Sequence, residues 1–375
     1  MLPFPLVCSD MAVTIVAVAD SNSCLKWNAA LLRQVPDDWE RSLVILAGPL
    51  LPSDDQFEVA LHAGLPAVLD LAALSVRLRE LQPDIVLLSL SGPLITVVVR
   101  AIIAATDRRP IIVTGLPGIS IPATRIAITD RAKADLFVLH SHREVREFIA
   151  LADPIHTRLR FALTTFPFLP KRAPGQRADG DVIFAAQATV PAARADRLVL
   201  LGWLADAARR HPYRRVVIND HESRFEKGRG YGGYADLLSE LFQPPPSNLV
   251  VAVASMADHL GTAAALVTVS STAAIEAVAL DVPVLILGEF AATDSVFVGS
   301  GLIGGQADLV AGRFRHANAG WIFDNYFHNE EDNDWLDQLD WLLARRRPGE
   351  QFEDVPRRAA SSLFSVWRML RRAHR

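Results

Sequence analysis

Apolar residues in the first half of the chain fall into short runs that alternate with segments of helical periodicity. The runs are rich in Val, Ile and Leu, whereas the helical segments repeat their apolar residues every three to four positions. The predicted strands cover residues 13–19, 41–48, 84–90, 110–115 and 135–140, and the predicted helices cover 25–35, 74–82, 94–106 and 142–152. Near-continuous apolar strands that alternate with helices indicate a parallel sheet covered on both faces.

The segment 169–181 interrupts this alternation. Its sequence, LPKRAPGQRADGD, contains two Pro, two Gly and five charged residues, and it lacks apolar periodicity, which is typical of a linker. The pattern then restarts, with predicted strands at 181–188, 214–220, 248–254, 265–270 and 283–288 and predicted helices at 194–210, 234–242, 256–263 and 272–280. We therefore predict an α/β protein of two Rossmann-like lobes with a cleft between them.

The predicted domains follow from this division and from the length of 375 residues, at which two domains are the usual arrangement. They are an N-terminal domain of residues 1–168, a linker of residues 169–181 and a C-terminal domain of residues 182–353. Two further helices are predicted at 335–347 and 354–375, and we expect the last one to join the N-terminal domain. Nine Arg and three acidic residues lie between Arg345 and Arg375. A solvated helix face explains this excess, and contact with an anionic membrane surface is the alternative.

The overall composition excludes several classes of protein. Half of the residues are hydrophobic, which suits a folded core, and the net charge of −4 gives no basic field for nucleic acid. Two cysteines, Cys8 and Cys24, are too few for a metal framework or a disulfide scaffold. No uncharged apolar run reaches the roughly 18 residues of a membrane span. We expect a cytoplasmic protein, peripheral to the inner face of the plasma membrane if its basic terminal helix binds there.

The first strand ends in Asp20 and is followed by DSNSCLKW, which lacks the G-x-G-x-x-G pattern of dinucleotide-binding proteins. Asp20 occupies the carboxyl end of a strand, where open α/β sheets bind ligands. It has two possible roles, as a helix cap or as a general base for an acceptor hydroxyl. Ser21 and Ser23 are also suited to capping, and they are the other candidates for acceptor contacts.

Three hydroxyl residues, Ser270, Ser271 and Thr272, lie between a predicted strand and a predicted helix. The N–H groups at such a junction favour an anion, and small hydroxyl residues let a phosphate approach. Glu276 lies four residues after Thr272, which is not the spacing of a capping box, so we expect it to bind a ribose or sugar hydroxyl. Further candidates for donor contacts are Gln187, in strand 181–188, and Gly301, after strand 283–288 at a predicted carboxyl end, where a plain turn is the alternative.

His221 follows strand 214–220 directly, at the predicted carboxyl end, where it can donate a hydrogen bond to a leaving phosphate. The next segment, FEKGRGYGGYADLL, combines charged residues with four glycines. It is interpreted either as a loop at the mouth of the site, with Lys227 and Arg229 approaching an anionic donor, or as a solvent loop without function.

The chain resembles the GT-B glycosyltransferases in its two Rossmann-like lobes, its linker and the stretch VTVSSTAAIEAVALDVPVLIL. More narrowly, VAVADSNSCLKW, VIFAAQATVPAARADRL and WIFDNYFH resemble an actinobacterial group of glycosyltransferases of uncharacterised substrate. These segments are spread over most of the chain. The resemblance implies a transferase that binds a nucleotide-sugar donor and a glycan or lipid-linked acceptor at the cell surface.

The serine pair is also similar to the serine motif of bacterial sialyltransferases and Kdo transferases, which use CMP-activated ulosonic acids. This resemblance implies that Ser270 and Ser271 hold the CMP phosphate. It also implies inverting, metal-independent transfer without a cofactor, with Asp20 as the base. The companion Lys-x-His-Pro motif departs from the pattern, because Asn219 and Glu222 flank His221 in place of Lys and Pro.

We therefore expect a glycosyltransferase with a CMP-ulosonic acid donor. The alternatives are a transferase that uses a UDP- or GDP-hexose, a nucleotide-sugar epimerase and a non-catalytic nucleotide-sugar-binding protein.

Overall fold

The computed structural model describes residues 12–48, 66–152, 159–171, 180–187, 190–220, 233–253, 255–291 and 295–346. These residues form two compact units. The first comprises the chain up to Pro167 together with the residues from Asn329 onward, and the second is Phe168–His328. Within the described residues, no helix is long and apolar enough to span a membrane.

The first unit contains a seven-stranded parallel sheet in the order β3-β2-β1-β4-β5-β6-β7. Its strands are β1 (Thr14–Ala19), β2 (Glu40–Leu46), β3 (Ala67–Leu69), β4 (Ile85–Ser89), β5 (Ile111–Gly115), β6 (Leu136–Leu139) and β7 (Arg160–Leu163). Its helices in this part of the chain are α1 (Asn22–Leu32), α2 (Leu71–Leu81), α3 (Gly92–Ala105), α4 (Arg125–Arg131) and α5 (His142–Ala152). The central strands are buried on both faces, which is why their sequences are apolar throughout.

The second unit contains a six-stranded parallel sheet in the order β10-β9-β8-β11-β12-β13. Its strands are β8 (Val182–Ala185), β9 (Val216–Asn219), β10 (Leu249–Ala252), β11 (Ala265–Thr268), β12 (Val284–Leu287) and β13 (Ile303–Gly304). Its helices are α6 (Arg194–Arg210), α7 (Tyr234–Leu241), α8 (Met256–Leu260), α9 (Ala273–Ala279), α10 (Gln306–Val310) and α11 (Ala319–Asp324). The predicted fold class of two parallel, Rossmann-like α/β domains is confirmed.

The order of strands reverses once in each sheet. In the first sheet the chain runs outward from β1 through β2 to β3 and then returns to β4, on the other side of β1. In the second sheet it runs from β8 through β9 to β10 and returns to β11. Such reversals separate the two loops that follow the adjoining strands, and ligands of open α/β sheets bind in the resulting crevice. The β1/β4 and β8/β11 switch points are therefore the places to look for a site.

The described residues from Asn329 to Arg346 belong to the first unit. Helix α12 (Trp335–Arg345) buries Trp335, whose Nε1 donates a hydrogen bond to Oε1 of Gln34 at 2.8 Å. Asp334 accepts a hydrogen bond from the backbone N–H of Leu163 at 2.7 Å, beside strand β7. The unit boundary therefore lies at residue 328 instead of 353, because α12 covers the first sheet. The predicted terminal helix 354–375 and most of the predicted linker lie outside the described residues.

Candidate functional site

Asp20 lies at the β1/β4 switch point, directly after the last residue of β1. Its side chain is 6% exposed, and its Oδ2 accepts two hydrogen bonds from Ser91, one from the backbone N–H and one from Oγ, both at 2.7 Å. Ser91 is the residue that precedes helix α3. The Cys24 side chain of α1 also interacts with this carboxylate. Ser91 thus anchors Oδ2 of Asp20, and Oδ1 is not used by Ser91.

This geometry separates Asp20 from the capping role that the sequence left open. The residue before α1 is Ser21, whose side chain makes no capping hydrogen bond. Ser23 lies inside the first turn of the helix and is exposed, so the expectation that it caps α1 is wrong. The carboxylate of Asp20 turns instead toward the neighbouring strand, to a partner 71 positions along the chain.

The β8/β11 switch point of the second unit has the same hydrogen-bonding pattern with an uncharged acceptor. Gln187 follows β8, and its Oε1 accepts from the backbone N–H of Ser270 at 3.0 Å and from Oγ of Ser270 at 3.3 Å. Ser270 is exposed and Gln187 is half-buried. The structure thus brings together two predicted donor-binding residues that are 83 positions apart.

Ser271 and Thr272 complete the junction between β11 and α9. The Oγ of Ser271 accepts a hydrogen bond from the backbone N–H of Ala273 at 3.2 Å, so this hydroxyl oxygen helps to start the helix. Thr272 has helical backbone angles and no side-chain capping bond. Among the described residues, no acceptor binds the backbone N–H groups of Ser271 and Thr272 or the hydroxyl of Thr272. These groups are donors that an anion can use.

Glu276 lies on the first turn of α9 and is half-buried. Burial raises the pKa of its carboxyl group above the ordinary value. Its side chain makes no hydrogen bond within the described part of the chain. A carboxyl group held partly out of water without a protein partner is suited to binding a hydroxyl group of a ligand.

Three of the predicted site residues, His221, Lys227 and Arg229, lie outside the described residues. The structure does describe Asp220, the residue immediately before them. Its carboxylate is buried, and Oδ2 accepts from the backbone N–H of Tyr234 at 2.9 Å, at the start of α7.

Gly301 does not lie at a carboxyl strand end, contrary to the prediction. It precedes β13, and Ile303 of that strand pairs with Ile286, near the end of β12. Because the two strands are parallel, Gly301 falls toward the amino end of the sheet, away from Ser270. Its backbone has a φ of 79°, which favours glycine, and it belongs to the turn that enters β13.

Sequence reasoning missed several groups around Asp20. Ser91, its partner, follows the predicted strand 84–90, and the letters SGP at 91–93 were a recognisable helix start. The side chain of Asp130 lies so close to Gly92 that a Cβ there would be 2.0 Å from its Oδ2. Arg131 is 2% exposed, and its Nη2 donates to the backbone oxygen of Leu90 at 3.4 Å. A buried cation and a second carboxylate therefore border this switch point.

No group of three or more His, Cys, Asp and Glu side chains in the described ranges is placed to hold a metal ion. The metal-independent, cofactor-free reaction implied by the sequence resemblance stays a prediction.

Solved structures with this fold include several UDP-GlcNAc 2-epimerases. The enzyme from Methanocaldococcus jannaschii is 11% identical, with 88% of this chain and 99% of that chain covered and a TM-score of 0.56. The enzyme from Neisseria meningitidis, bound to UDP-GlcNAc, is 13% identical, with 89% and 95% covered and a TM-score of 0.52. The S. aureus MnaA structure with UDP is 10% identical, with 92% and 100% covered and a TM-score of 0.52. At these identities the likeness shows the fold.

No sequence among curated proteins matches the chain significantly. A family model described as "Putative glycosyltransferase (DUF6716)" matches residues 15–342. The match includes both sheets and both switch points, with Asp20, Gln187, Ser270 and Glu276 inside it. This chain belongs to that glycosyltransferase family and is an enzyme of two Rossmann-like units.

Proposed function

We propose that the protein transfers a sugar from a nucleotide donor to an acceptor hydroxyl, with the donor held by the second unit and the base supplied by the first. One observation carries this proposal: the two switch points share a hydrogen-bonding pattern but differ in charge. In each, a side-chain oxygen after one strand accepts from the N–H and Oγ of a serine after the other. The acceptor is a carboxylate at Asp20 and a neutral amide at Gln187.

The charge of Asp20 supports a role in deprotonation. Its Oδ2 is fixed by Ser91, which leaves Oδ1 to accept the proton of the acceptor hydroxyl. The deprotonated oxygen then attacks the anomeric carbon, the bond from that carbon to the phosphate oxygen breaks, and the nucleotide leaves with the electron pair. Attack opposite the leaving group inverts the anomeric configuration.

The neutral charge at Gln187 supports a role in binding the donor phosphate, since a carboxylate at this place would repel it. The available donors are the N–H groups of Ser271 and Thr272 and the nearby hydroxyl groups, which suit phosphate oxygens. Glu276 lies one helical turn further along α9. Its carboxyl group is proposed to form a hydrogen bond with a ribose or sugar hydroxyl of the donor. His221, Lys227 and Arg229 are proposed to approach the departing phosphate.

Two observations bear on the nucleobase of the donor, and they favour different bases. The serine motif resembles that of enzymes with CMP-ulosonic acid donors, whereas solved structures with this fold contain UDP or UDP-GlcNAc. We propose the CMP-linked donor and keep the UDP-linked donor as the competing case. A thermal-shift series with CMP, CDP, UDP and GDP decides between them. A rise in Tm with CMP alone supports the first case, and a rise with UDP alone contradicts it.

The transfer itself is tested with labelled CMP-sialic acid, CMP-Kdo and UDP-GlcNAc, each incubated with the enzyme and a delipidated or lipid-containing envelope fraction. Label moved into glycan or lipid by wild-type enzyme, and not by Asp20→Asn, supports the proposal. Transfer that is equally fast with Asp20→Asn rules out Asp20 as the base.

A nucleotide-sugar 2-epimerase is the second candidate, because the solved structures described above have that activity in their names. An epimerase converts the donor in the absence of an acceptor. Proton NMR of UDP-GlcNAc with enzyme in D₂O therefore separates the two functions, since only the epimerase produces a second sugar isomer. If none of the nucleotides raises Tm and no sugar is converted, the protein is a binding module for another ligand.

A further inference from the structure

Polar side chains lie beneath Asp20, between helix α1 and strands β1 and β4. Helix α1 packs across both strands. Ser89 pairs in register with Ala19, so their side chains point to the same face of the sheet. Ala19 packs with Cys24 of α1, whereas Val18 and Leu88 belong to the core on the other face. The Ser89 hydroxyl therefore faces α1.

Asn28 lies one helical turn after Cys24 on the same side of α1. It is 0% exposed, and neither its Oδ1 nor its Nδ2 has a hydrogen-bond partner among the described residues. The side chain of Ser89, also 0% exposed, interacts with the Cys24 thiol, and its Oγ has no nitrogen or oxygen partner among the described residues. A buried polar group without a partner costs about 1–3 kcal/mol, so the two polar atoms of Asn28 and the weakly paired hydroxyl of Ser89 require an explanation.

Cys24 lies between these groups and Asp20. Burial and the neighbouring Asp20 carboxylate raise the pKa of the Cys24 thiol to about 11. The thiol is therefore protonated at neutral pH and offers a weak S–H donor. Cys24 thus links Asp20 and Ser89, and Asn28 lies one turn further along the same side of α1.

We propose that Asn28 and Ser89 bind one buried water molecule and that this water, with the Cys24 thiol, supports the Asp20 carboxylate, which makes Asn28 a positioning residue. A buried water usually makes about three hydrogen bonds to otherwise unpaired polar groups. The amide of Asn28 supplies an acceptor and a donor and the hydroxyl of Ser89 supplies the third partner, which leaves the Cys24 S–H to donate to the Asp20 carboxylate. The catalytic consequence rests on the proposed function of Asp20 as base, whereas the water site does not.

Other polar groups border this switch point. Ser91 before α3 is hydrogen-bonded to Asp20, the side chain of Asp130 lies beside Gly92, and Arg131 on α4 interacts electrostatically with Cys24. Asn28 carries no charge, so its replacement leaves this charge distribution as it is. A change in kcat after substitution of Asn28 therefore reports the loss of hydrogen bonds.

The test compares Asn28→Leu with Asn28→Ser, and uses Leu31→Met on the same helix as a packing control. If Asn28 binds water, Asn28→Leu strands the Ser89 hydroxyl and lowers Tm, whereas Asn28→Ser keeps a hydroxyl and restores much of the loss. If Asn28 has no partner, leucine of similar size raises Tm. Ser89→Ala is the second variant if Asn28→Leu fails to fold, and it is expected to lower Tm as well.

The positioning role has a separate measurement, the split between kcat and KM. Loss of the water removes a support of the Asp20 carboxylate, so Asn28→Leu should lower kcat with KM unchanged, whereas Leu31→Met should change neither. Asn28→Ser should recover part of the lost kcat. An Asn28→Leu variant with unchanged or higher Tm and unchanged kcat overturns the proposal. Full activity in Asp20→Asn, together with a lower Tm in Asn28→Leu, removes only the base assignment.

Discussion

The two switch points of this protein share a hydrogen-bonding pattern and differ in charge. At each, a serine that follows one central strand donates two hydrogen bonds to a side-chain oxygen that follows the other. In the first unit the acceptor is the buried carboxylate of Asp20, and the hydrogen bonds are 2.7 Å long. In the second it is the half-buried amide of Gln187, and they are 3.0 and 3.3 Å long.

The difference in charge suits the two switch points to different ligands. Parallel sheets with a reversal of strand order place two loop starts side by side, and this much is common to both units. The side chain that accepts the hydrogen bonds from the serine then determines the charge of the ligand group that can bind in the crevice. A carboxylate favours partners that give up a proton, whereas an amide favours an anion beside the free N–H groups of Ser271 and Thr272.

Asp20→Asn is expected to have the largest effect on this comparison, because it gives the first unit the neutral chemistry of the second. The amide oxygen of asparagine still accepts from Ser91, so Tm should change little. Removal of the general base should lower kcat by about 10²–10⁴-fold. The measurement is kcat for sugar transfer, with Asp107→Asn, an exposed residue of the same unit, as control.

Gln187→Glu makes the opposite exchange and gives the second unit the charge of the first. Glutamate still accepts from Ser270, but its negative charge opposes the donor phosphate at close range. Nucleotide affinity should fall by about 30-fold at neutral pH and recover as the pH is lowered and the carboxylate is protonated. Calorimetric titration with the best nucleotide at pH 5 and pH 8 measures both. If Gln187→Glu and wild type bind the nucleotide with equal affinity at pH 8, the donor phosphate does not bind beside Gln187.

Glu276→Gln is expected to separate stability from function. Since burial holds the pKa of Glu276 above its unfolded value, the native state binds more protons than the unfolded state between the two pKa values. The contribution of Glu276 to stability is therefore favourable at low pH and is lost as the pH rises through that window.

The Glu276→Gln variant should accordingly have a Tm about 1–3 °C higher at pH 8, with no gain below the unfolded pKa. Its affinity for the nucleotide sugar should be about tenfold weaker if the carboxylate binds a ligand hydroxyl. Thermal unfolding from pH 4 to 8, with and without donor, checks both signs. A gain in Tm without any loss of donor affinity would show that Glu276 does not bind the donor.

Ser91→Ala and Ser270→Ala remove corresponding hydroxyl groups and should have the smallest effects. The Ser91 hydroxyl donates to a buried charged oxygen, so its loss should cost about 1.5 kcal/mol of unfolding free energy. The exposed Ser270 hydroxyl donates a longer bond to a half-buried neutral amide, so its loss should cost about 0.5 kcal/mol. Denaturant unfolding measures the pair. Equal costs would show that the two switch points do not differ in burial and charge as described.

Much of the fold was predictable because buried parallel strands and long helices have strong apolar patterns. The helix predicted at 94–106 is Gly92–Ala105, and the strand predicted at 84–90 is Ile85–Ser89. Strands β3 and β13 were not predicted. They have only three and two residues and are stabilised by pairing with a neighbouring strand at the sheet edge. Helix α4 was not predicted either, because it buries only Ile128 and Arg131, which are too few for an amphipathic stripe.

The candidate site was predictable only in part, since it depends on contacts between distant segments. The position of Asp20 and of Ser270 after apolar strands could be read locally. The Asp20–Ser91 and Gln187–Ser270 pairs could not, because they require the strand order. The predicted position of Gly301 was wrong for a related reason. Its distance in sequence from strand 283–288 does not determine whether it lies at the carboxyl or the amino end of the sheet. The helix at 335–345 was predicted, but its packing against Gln34 was not.

The most direct test of the account is nucleotide binding and sugar transfer measured side by side in wild type, Asp20→Asn and Gln187→Glu. We expect Asp20→Asn to bind nucleotide as wild type does and to transfer sugar about 10²–10⁴-fold more slowly, whereas Gln187→Glu should bind nucleotide about 30-fold more weakly. If Asp20→Asn loses nucleotide binding, or if Gln187→Glu retains it, the division of donor site and base between the two units is contradicted.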